Sequence, residues 1–131
     1  MTSVEQRAIR ARSVPFSILI GLTSLAILLQ GVWAGMFIRS GEANDKTWVD
    51  VHARGADIAI VLALAALVVA LLRLRSRREL VVGSAALFVL LVAEAYLGGL
   101  IVDSPAVEAV HFPLALALMA LAVWLPLRSR R

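Results

Sequence analysis

Residues 14–38 read VPFSILIGLTSLAILLQGVWAGMFI, 25 positions without a charged side chain. A helix of about 20 residues crosses the ~30 Å hydrocarbon core of a bilayer, so this stretch is long enough to span one. Three more stretches of the same kind follow at residues 49–72, 80–102 and 106–127. Glu94 is the charge inside the third; the second and fourth carry theirs near their starts. The sequence therefore predicts an all-α integral membrane protein, a four-transmembrane-helix bundle forming one domain over residues 1–131. Arginines precede the first stretch, as they do in a signal peptide. It is longer than the apolar region of a cleaved signal, about 7–15 residues, and no small-residue cleavage site follows, so it reads as a retained helix.

Composition agrees. Of the 131 residues, 61% are hydrophobic and 17% charged, and the mean hydropathy is +0.90. Soluble domains carry about 25% charged residues, spread around amphipathic helices and strands rather than gathered between apolar blocks. An ordinary soluble enzyme, a disordered chain and a nucleic-acid binder are excluded, in spite of a pI near 11.0. The chain has no cysteine, which removes disulfides, thiolate metal sites, iron–sulfur clusters and covalently attached c-type haem.

The arginines set an orientation. Arg7, Arg10 and Arg12 precede the first span, Arg73, Arg75, Arg77 and Arg78 separate the second and third, and Arg128, Arg130 and Arg131 follow the fourth. Ten of the thirteen basic residues thus fall on one side, against Arg39, Lys46 and Arg54 on or near the other. The positive-inside rule then places both termini in the cytoplasm, and the expected location is the cell's inner (plasma) membrane. Topology accounts for these arginines without anionic-lipid or nucleic-acid binding. On the outer side, Thr47 with Asp50 has capping-box spacing, and Ser104-Pro105 reads as an N-cap with the first helical residue. The short 73–79 connection makes the second and third helices antiparallel neighbours.

The first and third spans end alike. At an offset of 64 residues, Gln30 aligns with Glu94, Gly35 with Gly99 and Ser40 with Ser104, and a histidine follows each copy, His52 and His111. Two repeated helical hairpins related by an axis along the membrane normal would set the second and fourth helices, with their histidines, across from each other at similar depth.

His52 and His111 are the chain's two histidines. Ionisable groups within a span are costly and mark functional sites. Two neutral imidazoles facing across a bundle form an axial pair for one haem iron, whereas two histidines leave a tetrahedral zinc site incomplete. The face of the second helix bearing His52 also carries Gly55, Ala56, Ala59, Ala63, Ala66 and Ala70. Such small residues either leave room for a flat cofactor or pack helices closely. Arg39 and Arg54 are candidates for haem propionates at the outer surface, and Arg54 alternatively pairs with Asp57. Gln30 and Glu94, deeper in the membrane, either hydrogen-bond each other or serve a proton or quinol site. Met36 and Met119 occupy no matching places in the repeat.

These residues resemble a known family. Gln30, Gly35 and Arg39-Ser40-Gly41, followed by His52, are similar to one hairpin of heme A synthase. Leu97-Gly98-Gly99, Val102, Ser104 and His111 are similar to the other. The resemblance implies half of an eight-helix architecture and axial roles for His52 and His111 toward one b haem per chain. The sequence departs from the family in lacking a cysteine pair in its first outer loop. Its acid before the first histidine, Asp50, also stands at a different spacing, so no catalytic residue is assigned. The functions implied are a b-haem-binding protein of electron transfer, haem handling or oxidase assembly, and a half-size heme A synthase-like oxidoreductase acting as a homodimer. A non-haem accessory subunit of a larger membrane complex is the third reading. The expected partners are the lipid bilayer, a second copy or a respiratory oxidase assembly, and a quinol.

Overall fold

A computed structural model describes residues 3–39, 46–101 and 104–129, with side chains for 13–38, 46–101, 104 and 106–129. Four helices account for nearly all of them: α1 (Ser3–Arg39), α2 (Lys46–Arg73), α3 (Arg78–Leu100) and α4 (Pro105–Ser129). Each contains a segment long and apolar enough to cross a membrane: Ser13–Ile38, Lys46–Arg73, Arg78–Leu100 and Ala106–Ser129. The protein is a multi-pass helical membrane protein.

α1, α2 and α4 outrun their apolar stretches, whereas α3 starts earlier than its stretch and ends at Leu100, two residues short of it. α1 continues through the charged segment before Ser13, because the apolar pattern marks where lipid begins and not where helical hydrogen bonding stops. α2 begins at Lys46, so Thr47 lies inside the helix and is not its cap. Pro105 is the first residue of α4, where its missing N–H leaves nothing unpaired.

α1 packs on α2 and α4, and α3 packs on the same two helices; α1 and α3, like α2 and α4, stand on the diagonals without backbone contact. Packing is uneven along the bundle axis. Phe16, Ile20, Leu80, Leu87, Leu118 and Leu125 are fully buried in the half nearer the arginine-rich connection. Toward the other end, α1 has no buried residue among the described side chains after Ile27, and α4 has none before Leu118. The bundle is closed at the arginine end and opens toward the end that carries the histidines.

Polar side chains tie the closed end together. Pro126 lacks the N–H that would bond the Ala122 carbonyl, and Ser24 of α1 takes its place with Oγ 3.0 Å from that oxygen. The Ser24 hydroxyl lies 2.8 Å from the Ile20 carbonyl of its own helix and shares its proton between the two. Ser129 donates to the Pro126 carbonyl at 2.9 Å, which leaves the Ser17 hydroxyl to donate to Ser129 at 2.8 Å. Arg77 spans the same end, with Nε on Glu79 at 2.7 Å and a guanidinium nitrogen on the Arg128 carbonyl at 3.1 Å.

The alanine stripe of α2 has one role here. Ala59, Ala63, Ala66 and Ala70 are completely buried in the core. At Gly55, the Trp33 ring and the Gln30 amide of α1 occupy the space that a β-carbon would need. Of the two readings of these small residues, the four alanines realise close helix packing.

Candidate functional site: a paired-histidine cluster

Each histidine sits one to two turns into its helix from the same end. His52 is six residues after Lys46, and His111 is six residues after Pro105. Since α2 and α4 run in the same direction on opposite corners of the bundle, equal register gives similar depth.

Each ring leans on the helix that precedes its own. His52 Nδ1 lies 3.2 Å from the Gln30 main-chain oxygen. A carbonyl only accepts, so Nδ1 carries the proton and Nε2 keeps its lone pair. The Phe37 ring meets the imidazole edge-on at 5.6 Å between centroids. On the other hairpin, His111 Nδ1 lies 3.1 Å from Glu94 Oε1. The Glu94 approach is within hydrogen-bond distance but poorly aligned, so Nδ1 and both carboxyl oxygens remain without a hydrogen bond. His111 rests on Gly98, where a β-carbon would stand 3.2 Å from ring Cε1.

Gln30 and Glu94 therefore do not bond each other, as one sequence reading has it. They stand on the diagonal helices α1 and α3, and both side-chain atoms of the Gln30 amide are buried without a partner. Each instead supports the histidine of its own hairpin. The signal was available in the sequence: a short connection makes consecutive helices neighbours, so a polar residue late in one meets a residue early in the next.

The remaining candidates fall elsewhere. Arg54 is exposed; two residues beyond His52, it points roughly 200° around the helix from the imidazole. No ion pair links it to Asp57 among the described residues. The side chain of Arg39 lies outside the described residues. Asp50 and Glu108 are exposed, apart from the histidines. No three His, Cys, Asp or Glu side chains converge among the described residues, which leaves zinc without a ligand set.

The donor set fits a haem iron better than a bare metal. It offers two imidazoles in like register at the less closely packed end of an apolar bundle, His52 with Nδ1 on a main-chain carbonyl and His111 with Nδ1 3.1 Å from a carboxyl oxygen. No family model matches the chain, and no characterised protein or solved structure is significantly similar to it. The likeness to heme A synthase rests on its short sequence motifs alone.

Proposed function

We propose that this protein binds one b haem between His52 and His111 in the plasma membrane and serves electron transfer, haem handling or the assembly of an oxidase. The observation that carries the reading is the matched environment of the two imidazoles. They share a register on diagonal helices, and each directs Nδ1 toward the equivalent residue, Gln30 or Glu94, of the preceding helix. The hydrogen bond at His52 Nδ1 fixes that ring and raises the donor strength of its Nε2, as outer partners of ligating histidines do.

The bound haem would supply one-electron exchange at its iron. The chain supplies the rest. α2 and α4 present the imidazoles from opposite corners, the Gln30 carbonyl and the Glu94 carboxyl orient them, and the apolar helices limit water at the site. The motif likeness favours a haem of this kind over a non-haem structural role.

A reduced-minus-oxidised absorption spectrum of the purified protein tests the reading. We expect the sharp bands of a six-coordinate low-spin b haem. His52→Ala and His111→Ala should each turn the spectrum high-spin or lose the pigment. A colourless wild type after expression with ample haem supply, or two single variants with unchanged low-spin spectra, would refute it.

A further inference from the structure

Orientation requires an excess of arginines on one side of the membrane and no particular arrangement of them. The structure shows an arrangement. In the turn between α2 and α3, the Leu74 N–H donates to the Ala70 carbonyl and the Arg77 N–H to the Leu74 carbonyl, both at 2.8 Å. Leu74 and Leu80, on either side of the turn's tip, are buried. Arg77 then fastens the turn to the end of α4 through Glu79 and the Arg128 carbonyl. Glu79 is the acid at this end among the residues with described side chains, and Arg77 takes it. Arg73, Arg75, Arg78 and Arg128 are left exposed, and none of them forms an ion pair among the described residues. Like charges held on one rim repel one another, and an anion between them relieves the repulsion. Trp124 lies beside them on α4, one turn before Arg128 and so on the same face. Its side chain is half exposed, and its ring rests over α3 at Gly83, where a β-carbon would stand 3.6 Å from it.

We propose that this rim binds the headgroup of an anionic phospholipid at the α3–α4 edge, with Arg78 and Arg128 on the phosphodiester and Trp124 at the level of the glycerol. An arginine fork matches two oxygens of a phosphate and keeps its charge at any working pH. A tryptophan at the edge of the hydrocarbon sets its apolar body among acyl chains and its N–H among headgroups. The occupant is a lipid and not a free anion, because these arginines stand at the ends of spanning helices. The exposed side chains next to them, Leu72, Val82, Val123 and Leu127, are apolar and face hydrocarbon. One diacyl lipid answers both features, with its phosphate on the arginines and its chains along that apolar surface. A zwitterionic headgroup brings an ammonium group that the arginines repel, so the rim selects for net negative charge. Arg73 and Arg75 add to the field around it. The histidines lie at the other end of the bundle, so this binding is independent of the haem reading.

The test is lipid retention. The full-length protein is reconstituted in vesicles of equal parts phosphatidylglycerol and phosphatidylcholine, re-extracted in a mild non-ionic detergent, and its bound lipid counted by mass spectrometry. An arginine close to an anionic lipid contributes about fivefold in affinity. The wild type should therefore retain phosphatidylglycerol over phosphatidylcholine by about tenfold or more at low salt. Most of that preference should vanish at ~1 M salt, where charges are screened within about 3 Å. Arg78→Gln and Arg128→Gln should each lower the preference about fivefold, and Arg78→Lys and Arg128→Lys should restore most of it. Lys46→Gln removes the same charge at the opposite end of the bundle and should change it less than about twofold. Circular dichroism verifies helix content, and the salt comparison reads on the wild type whatever the variants do. A wild type without the preference, a preference that survives high salt, one untouched in both glutamine variants, or an equal loss in Lys46→Gln overturns the proposal. Release of the lipid by inorganic phosphate at constant ionic strength assigns the rim to a free anion and also overturns it.

Discussion

Gly98 and Gly99 are adjacent on α3, yet the structure gives them opposite roles, and valine substitutions at the two positions form a matched experiment. A β-carbon at Gly98 would stand 3.2 Å from Cε1 and 3.8 Å from Nδ1 of His111, whereas one at Gly99 meets nothing within 4 Å. Carbon atoms in good contact lie about 3.5–4.0 Å apart, so alanine at 98 pushes the ring by a few tenths of an ångström. Valine extends a further bond of about 1.5 Å from the β-carbon and drives the imidazole well off its place. Forcing extra groups into a packed contact costs about 1–3 kcal/mol. If that strain appears in cofactor binding, haem affinity falls about 5- to 150-fold, since each 1.4 kcal/mol is tenfold. The assay is a haem titration of the apoprotein in detergent, followed by Soret absorbance, with circular dichroism to verify helix content. Gly98→Ala should weaken binding slightly, Gly98→Val strongly, and Gly99→Val hardly at all. Wild-type affinity in Gly98→Val, or equal losses at 98 and 99, would refute the placement of His111 on Gly98 and its role in binding.

Two further expectations concern the scaffold. With Lys46 and Ser76 at opposite ends of α2 or just beyond, single cysteines there should react with an impermeant thiol reagent from opposite sides of the membrane; labelling from one side only is incompatible with α2 as a span. Ser24→Ala should cost about 0.6–1.7 kcal/mol, the range for interhelical hydrogen bonds in membranes. The loss should shrink in a Pro126→Ala background, where residue 126 regains an N–H for the Ala122 carbonyl. A double-mutant cycle on thermal unfolding in detergent reads the coupling, and a coupling of zero would show that the two groups act separately.

The number and approximate bounds of the helices were legible in the sequence, because lipid imposes one requirement that composition alone reveals. Every backbone polar group must be bonded within its own segment, so about 20 consecutive apolar residues mean a spanning helix. The candidate histidines were legible for a related reason: an ionisable ring in a span is rare enough to stand out. Which groups touch each ring was decided by tertiary structure. The apolar pattern in a membrane helix is nearly uniform around the axis, so it does not say which face meets which neighbour. That is why the alanines of α2 read equally well as a chamber wall and as a packing surface, and why Gln30 and Glu94 looked like partners. Helix order around the bundle placed them on a diagonal and turned each toward its own histidine. Likewise, Pro126 and Ser24 each appear unremarkable in the chain, and only the crossing of α1 and α4 brings the freed carbonyl to the hydroxyl that bonds it.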